Sequence, residues 1–112
     1  WSERKIAEMG RKQKRLLHSA VQCLKPGGVL IYATCSFSPE ENEAVVSRAL
    51  DRFDGTLEIE PVRIPVDNWQ PGFVEWQGKR FRAELRRAVR ILPDTHMQGF
   101  FICRLRRTMA AH

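Results

Sequence analysis

The chain has 112 residues, of which 43% are hydrophobic, so it is long enough for one domain with a modest core. It lacks both a signal peptide and an apolar run of about 18 residues, which predicts a soluble cytoplasmic protein and no membrane partner. Its 19 Lys and Arg residues against 13 Asp and Glu give a net charge of +6, which suits a nucleic acid partner and equally a merely solvated basic surface.

The first predicted element is an amphipathic helix, followed by a buried strand. Between Ser2 and Leu24 apolar residues recur at helical spacing, with Ser2 in the N-cap position. The sequence Lys25-Pro26-Gly27-Gly28 then ends the helix, because proline cannot continue it and glycine allows a left-handed exit. The apolar run from Val29 to Ala33 predicts a strand that is buried on both faces, as in a parallel sheet.

A second helix is predicted from its capping signals. Ser38 is placed as the N-cap, Pro39 as the first helical residue and Glu41 as the partner of Ser38 in a capping box. Glu40 and Glu43 are expected to face solvent. The helix should end at Asp54-Gly55, and its buried face should consist of Ala44, Val45, Ala49, Leu50 and Phe53.

The remaining chain predicts mainly strands. Residues 57–64 alternate apolar and charged side chains, which indicates a strand interrupted or bounded at Pro61. Residues 68–78 are typical of a loop that contains possible short strands. Residues 81–90 predict a short helix or an extended segment, and residues 99–105 predict a final strand. The order of elements indicates an α/β fold, specifically the later half of an open sheet.

Cys35 is the most informative candidate residue, because it lies between a strand and a helix start. Ligands of open α/β sheets bind beyond the carboxyl ends of the strands, and helix amides there favour a thiolate. The neighbouring glutamates oppose that effect, so a packed free cysteine is an equal alternative. Cys23 and Cys103 are predicted to be core or near-core thiols, and the three cysteines and three histidines lack the spacing of a metal site.

Three parts of the sequence resemble a known family. The segment "LKPGGVLIYATCSFSPEENEAVV", residues 24–46, closely resembles the Thr-Cys motif of the Sun family of RNA cytosine-5 methyltransferases. The segment "RILPDTHMQGFFICRLRR", residues 90–107, and the upstream pattern of Trp1, Ile6, Gln13, Leu16, Leu17 and Ala20 agree with the same family. The similarity is weakest in residues 56–88.

The resemblance implies a fold, a cofactor and a role for Cys35. The fold would be the carboxyl-terminal half of a class I, Rossmann-like methyltransferase, with a mixed sheet whose last strand is antiparallel. Cys35 would be the nucleophile that adds to carbon 6 of cytosine, so that carbon 5 can accept the methyl group of S-adenosylmethionine. The RNA would be rRNA or tRNA, and the product would contain 5-methylcytosine.

The family's cofactor-binding motifs do not occur in this sequence. Residues 1–112 are therefore expected to form a single partial methyltransferase domain that lacks the cofactor-binding half, has no cofactor-binding residue and is inactive alone. Trp1, in place of an initiating Met, also favours a fragment. The alternative is a noncatalytic truncated relative that binds RNA or associates with itself, for example as a homodimer through an exposed sheet edge.

A basic run is the candidate RNA-binding segment. Phe81 lies within it, and Trp69 and Trp76 precede it, so cations and aromatic rings occur together, as in many RNA-binding surfaces. A solvated face with buried aromatic rings explains the same pattern equally well. The cations of the run are Arg80, Arg82, Arg86, Arg87 and Arg90.

Overall fold

The computed structural model describes residues 3–95 and 99–108 of the chain. The predicted N-cap at Ser2 lies outside the described residues, as do His96 and His112. The elements in chain order are helix α1 (Glu3–Gln22), strand β1 (Val29–Thr34), helix α2 (Glu43–Arg52), strands β2 (Leu57–Glu60), β3 (Trp69–Pro71), β4 (Glu75–Trp76) and β5 (Lys79–Arg80), a 3-10 helix (Ala83–Arg87), and strands β6 (Val89–Ile91) and β7 (Phe100–Arg107).

A five-stranded sheet is organised around β7. Strand β1 pairs with one edge of β7, whereas β6 and β2 pair with successive parts of its other edge, and β3 follows β6. All of these pairings are antiparallel, so the predicted antiparallel arrangement of the last strand beside β1 is confirmed. Strands β4 and β5 form a separate hairpin whose turn residues Gln77 and Gly78 both have positive φ, as tight two-residue hairpins require.

The hydrophobic core joins both helices to the sheet. Leu17 and Val21 of α1 are buried in it, and from β7 it includes Phe101 and Leu105. Helix α2 contributes the largest buried face, made of Val45, Val46, Ala49 and Leu50. No helix in the described part of the chain has the length and hydropathy needed to cross a membrane.

The end of α1 follows the sequence prediction and has an additional partner. Gly27 has a φ of 82°, the left-handed conformation expected of the predicted stop. The Arg107 guanidinium donates to the carbonyl oxygens of Val21 and Leu24, each at 3.0 Å. The Val21 carbonyl also accepts from the Leu24 amide at 3.0 Å, so the Arg107 bonds reinforce the turn that ends α1 and join it to the last strand.

Strand β1 departs from the prediction that both of its faces are buried. Tyr32 is buried and Leu30 packs against the core, but Val29 is 40% exposed and Ile31 is 53% exposed. Among the described strands β1 lies at the edge of the sheet, and only one of its faces packs against the core. Its residues therefore alternate between the core and solvent.

Helix α2 begins at Glu43, so the predicted start at Ser38 or Pro39 is wrong. Residues 39–42 instead form turns, in which the Glu41 amide donates to the Ser38 carbonyl oxygen at 3.0 Å. The predicted capping box does not form, because the Glu41 carboxylate accepts a hydrogen bond from Ser36 rather than from the Ser38 amide.

The structure of the later segments agrees in part with the predictions from the sequence. Strand β2 ends at Glu60, one residue before Pro61, which has no N–H to donate to a sheet. Residues 81–90 include both a 3-10 helix and the start of β6, so helical and extended structure occur in succession.

Candidate active site at the end of strand β1

Cys35 lies where the sequence places it, in the loop between β1 and α2. Strand β1 ends at Thr34, and the Cys35 thiol that follows is free and exposed to solvent. By contrast, Cys103 is completely buried in β7, opposite Tyr32 of β1, as predicted for a packing residue. Cys23 is exposed just beyond the end of α1, so the prediction that it is a core or near-core thiol is wrong.

A single buried amide holds the residues on both sides of Cys35. The Asn42 side chain is fully buried, and its Nδ2 donates to the Ser36 carbonyl oxygen at 2.8 Å. Its Oδ1 accepts a hydrogen bond from the Thr34 hydroxyl at 2.5 Å. The Ser36 amide also donates to Thr34 Oγ1 at 3.3 Å. The backbone on each side of the exposed thiol is therefore held in place while the thiol itself stays accessible.

Glu41 links this loop to the sheet. Its carboxylate accepts a hydrogen bond from the Ser36 hydroxyl at 3.0 Å, and its backbone carbonyl accepts one from the Tyr32 hydroxyl at 2.7 Å. Ser36 Oγ in turn accepts a bond from the Ser38 amide at 3.0 Å. Burial, and to a smaller extent the Glu41 carboxylate, raises the pKa of Tyr32 well above its usual range, so this hydroxyl remains a donor.

A buried ion pair fixes the far side of the loop. Arg90 donates to both carboxylate oxygens of Glu43, from Nε at 2.5 Å and from Nη2 at 2.6 Å, and its Nη1 donates to the Phe37 carbonyl oxygen at 3.2 Å. Its guanidinium also lies 4.4 Å from the centre of the Phe73 ring. The expectation that Glu43 faces solvent is therefore wrong, because this carboxylate is fully buried.

The predicted RNA-binding arginines do not form one surface. Arg90 is buried in its pair with Glu43 and lies beneath Phe73. Arg82 forms ion pairs with Asp51, Asp54 and Glu84 at 3.2, 3.1 and 2.8 Å.

The other three arginines of that run are exposed. Arg87 donates to the Ile59 carbonyl oxygen at 3.1 Å, whereas Arg80 and Arg86 form no ion pair within the described part of the chain. Trp69 and Trp76 are also exposed, and Trp76 stacks on Phe73 with ring centres 5.3 Å apart. The RNA-binding role of this basic run therefore stays a prediction. Arg80 and Arg86 are its main candidates, because they are exposed and form no ion pair with the described residues.

The described ranges 3–95 and 99–108 contain no cluster of metal-ligating side chains. No group of three or more potential ligand side chains could hold a metal ion there. Two hollows in the same ranges have arginine or lysine at half of their lining positions. Such walls do not fit the sulfonium cation of S-adenosylmethionine, so we place no methyl donor in either hollow, and the absence of cofactor-binding residues from the chain stays a prediction.

Comparisons with known proteins match nearly the whole chain. A family model described as 16S rRNA methyltransferase RsmB/F matches residues 1–106. A tRNA (cytosine(49)-C(5))-methyltransferase of Pyrococcus abyssi is 41% identical over 108 residues, which are 96% of this chain and 34% of that protein.

Solved structures agree with this match. A methyltransferase homologue from Pyrococcus horikoshii is 38% identical, with a TM-score of 0.84 over 96% of this chain and 33% of its own. NSun6 from the same organism, solved with SFG, is 29% identical, with a TM-score of 0.63 over 90% of this chain and 23% of its own. The predicted methyltransferase fold class is confirmed, and the chain spans about a third or less of these relatives.

Proposed function

The chain belongs to the 16S rRNA methyltransferase RsmB/F family, and on this premise we propose that it carries the nucleophile, Cys35, of an RNA cytosine-5 methyltransferase. The observation that supports this role most strongly is the contrast between the thiol and its surroundings. The thiol is exposed, yet a buried amide fixes both residues that flank it. A packing cysteine would instead be buried, as Cys103 is.

In the proposed reaction, the Cys35 thiolate forms a bond to carbon 6 of the target cytosine. The electron pair of the carbon 5–carbon 6 double bond then becomes available at carbon 5, which accepts a methyl group from a sulfonium donor that would leave as a neutral thioether. Transfer of the carbon 5 proton to a base restores the double bond and expels the thiolate, leaving 5-methylcytosine. The target base must be unstacked to reach an exposed thiol, which costs least in single-stranded or loop RNA.

The methyl donor of the complete enzyme would be S-adenosylmethionine, bound by a part of the fold outside this chain. We therefore treat residues 1–112 as a partial domain. The apolar face of β1, which includes Val29 and Ile31, and the free edge of the same strand support this proposal. Such a surface is expected to pack against further structure. Self-association through this edge is the alternative, and a monomer in sedimentation of the isolated chain would exclude it.

The test is to trap the covalent intermediate in the complete protein that contains this chain. RNA containing 5-fluorocytosine blocks the final elimination, because fluorine replaces the carbon 5 proton, so a denaturing gel detects a protein–RNA adduct. We expect wild type and Cys23→Ala to form the adduct and Cys35→Ala to form none, with folding unchanged in all three.

Cys23→Ala is a matched control because Cys23 and Cys35 are both exposed free thiols. A difference between the two variants therefore cannot come from exposure alone. An adduct that persists in Cys35→Ala would show that the nucleophile is elsewhere.

A further inference from the structure

A basic groove runs between α1 and α2 and continues to β5. It consists of two adjoining hollows of about 470 and 360 Å³, which share Arg48 and Asp51 in their walls. Both hollows are open to solvent. We call this feature the α1–α2 groove, and its basic or titratable residues are Lys14, His18, Arg48, Arg52, Lys79 and Arg80.

The five lysines and arginines of the groove form no ion pairs among the described side chains, although the Glu40 carboxylate acts on Lys14 from nearby. The one acidic residue in its walls, Asp51, is already paired with Arg82 at 3.2 Å. The groove therefore carries an excess of positive charge.

These cations also repel one another. Burial, followed by the neighbouring charges of Arg48 and Lys79, lowers the pKa of Lys14. Burial and then the charges of Arg52, Arg48 and Lys14 lower the pKa of His18 in the same way. Like charges held close together destabilise the folded chain, and a bound anion would relieve that repulsion.

His18 lies in the wall of this groove. Its ring packs edge to face against Phe53, with ring centres 5.8 Å apart, and its Nε2 atom is buried without a hydrogen-bond partner among the described residues. Because this nitrogen is buried, we assign it no contact with a ligand, and His18 enters the argument only through the positive charges beside it.

We infer that the α1–α2 groove binds the sugar–phosphate backbone of the RNA substrate, an inference that rests on the proposed function. An open channel with several separate cations suits a chain of phosphates, because each neutralised phosphate releases condensed counterions. Contacts of this kind position the nucleic acid without reading its bases. An acidic protein segment is the competing occupant, and the salt dependence of RNA binding distinguishes the two.

One end of the groove, at Lys14, lies near the turn that follows the Cys35 loop. A Cβ atom at Gly10 of α1 would come within 2.9 Å of the Glu40 carbonyl oxygen, so α1 packs directly on the turn that follows this loop. Lys14 is one helical turn further along α1. A phosphate bound at this end of the groove would therefore lie beside the turn that follows the catalytic loop and outside the loop itself.

The test compares two double variants of the complete protein that remove the same charge. Arg48→Gln/Lys79→Gln removes two cations of the groove, and Lys25→Gln/Arg63→Gln removes two exposed cations that are not among its lining residues. Binding of a fluorescently labelled RNA is measured by anisotropy over a series of salt concentrations. Circular dichroism of each variant checks that the fold is retained.

We expect the groove variant to reduce the magnitude of the negative slope of log K against log salt by about 1.4 to 1.8, because each lost phosphate contact removes about 0.7 to 0.9. The slope of the control should stay close to that of wild type. In methylation assays the groove variant should raise the KM for RNA without changing kcat, since these residues do not touch the reacting base.

An unchanged slope in the groove variant, as expected if the groove binds an acidic protein, would overturn the inference. An equal reduction in both variants would also overturn it, because the effect would then come from net charge alone. If the wild-type protein forms no 5-methylcytosine, the proposed function fails, while the salt slopes still decide whether the groove binds RNA.

Discussion

The buried ion pair between Glu43 and Arg90 leads to a quantitative prediction about stability. Glu43 accepts three hydrogen bonds, two from Arg90 at 2.5 and 2.6 Å and one from the Phe73 amide at 2.9 Å. The change Glu43→Gln leaves the Arg90 guanidinium buried without an opposing charge. Removing one partner of a buried pair typically costs about 3 to 5 kcal/mol, and we expect a loss of this size in the free energy of unfolding.

Urea unfolding followed by tryptophan fluorescence measures this loss. Trp76 stacks on Phe73, and Phe73 covers the guanidinium of Arg90, so an indole lies close to the perturbed pair. With a slope of about 2 kcal/mol per molar urea, the midpoint should fall by roughly 2 M while the slope itself stays unchanged.

A surface ion pair supplies the matched control. Glu58 and Arg106 are 3.1 Å apart, with 43% and 36% of their side chains exposed. Glu58→Gln should therefore cost about 1 kcal/mol or less. The double variant Glu43→Leu/Arg90→Met should be less destabilised than Glu43→Gln, because it buries no unpaired charge. Equal costs for Glu43→Gln and Glu58→Gln would refute the reasoning.

Two further predictions concern the same part of the fold. Tyr32→Phe removes the 2.7 Å hydrogen bond to the Glu41 carbonyl and should lower the free energy of unfolding by about 1 to 3 kcal/mol in urea melts; an unchanged midpoint would show that the bond contributes nothing. Burial, and secondarily the Glu43 carboxylate, raises the pKa of the Cys103 thiol far above its usual range. Iodoacetamide at pH 8 should therefore label Cys23 and Cys35 in the folded protein and Cys103 only after denaturation, as read by mass spectrometry; equal labelling of all three before denaturation would contradict this.

The parts of the fold that follow from local chemistry could be predicted from the sequence. The end of α1 depends on Pro26 and on the left-handed Gly27, whose φ is 82°, and the end of β2 depends on Pro61. The loop position of Cys35 follows from an apolar run ending just before it. Each of these signals acts within a few residues of the feature that it determines.

The partners that hold the Cys35 loop could not be predicted in this way. Glu43 and Arg90 are 47 residues apart, and a carboxylate near a helix start is usually found in solvent. The prediction for Cys23 assumes that this residue belongs to α1. The helix ends at Gln22, so the helical periodicity that places side chains on the core side does not apply to Cys23.

The distribution of the arginines explains why the density of basic residues in the sequence does not identify an RNA surface. Arg82 and Arg90 belong to the densest basic run, but their charges are balanced by carboxylates in ion pairs that stabilise the fold. The cations without such partners include Lys14 and Arg48, which come from separate helices and meet only where α1 packs against α2. What is available to a phosphate is the charge that the protein leaves unpaired. The amount of unpaired positive charge at a surface depends on tertiary contacts. In this structure such charge is concentrated in the α1–α2 groove, which is therefore the candidate surface.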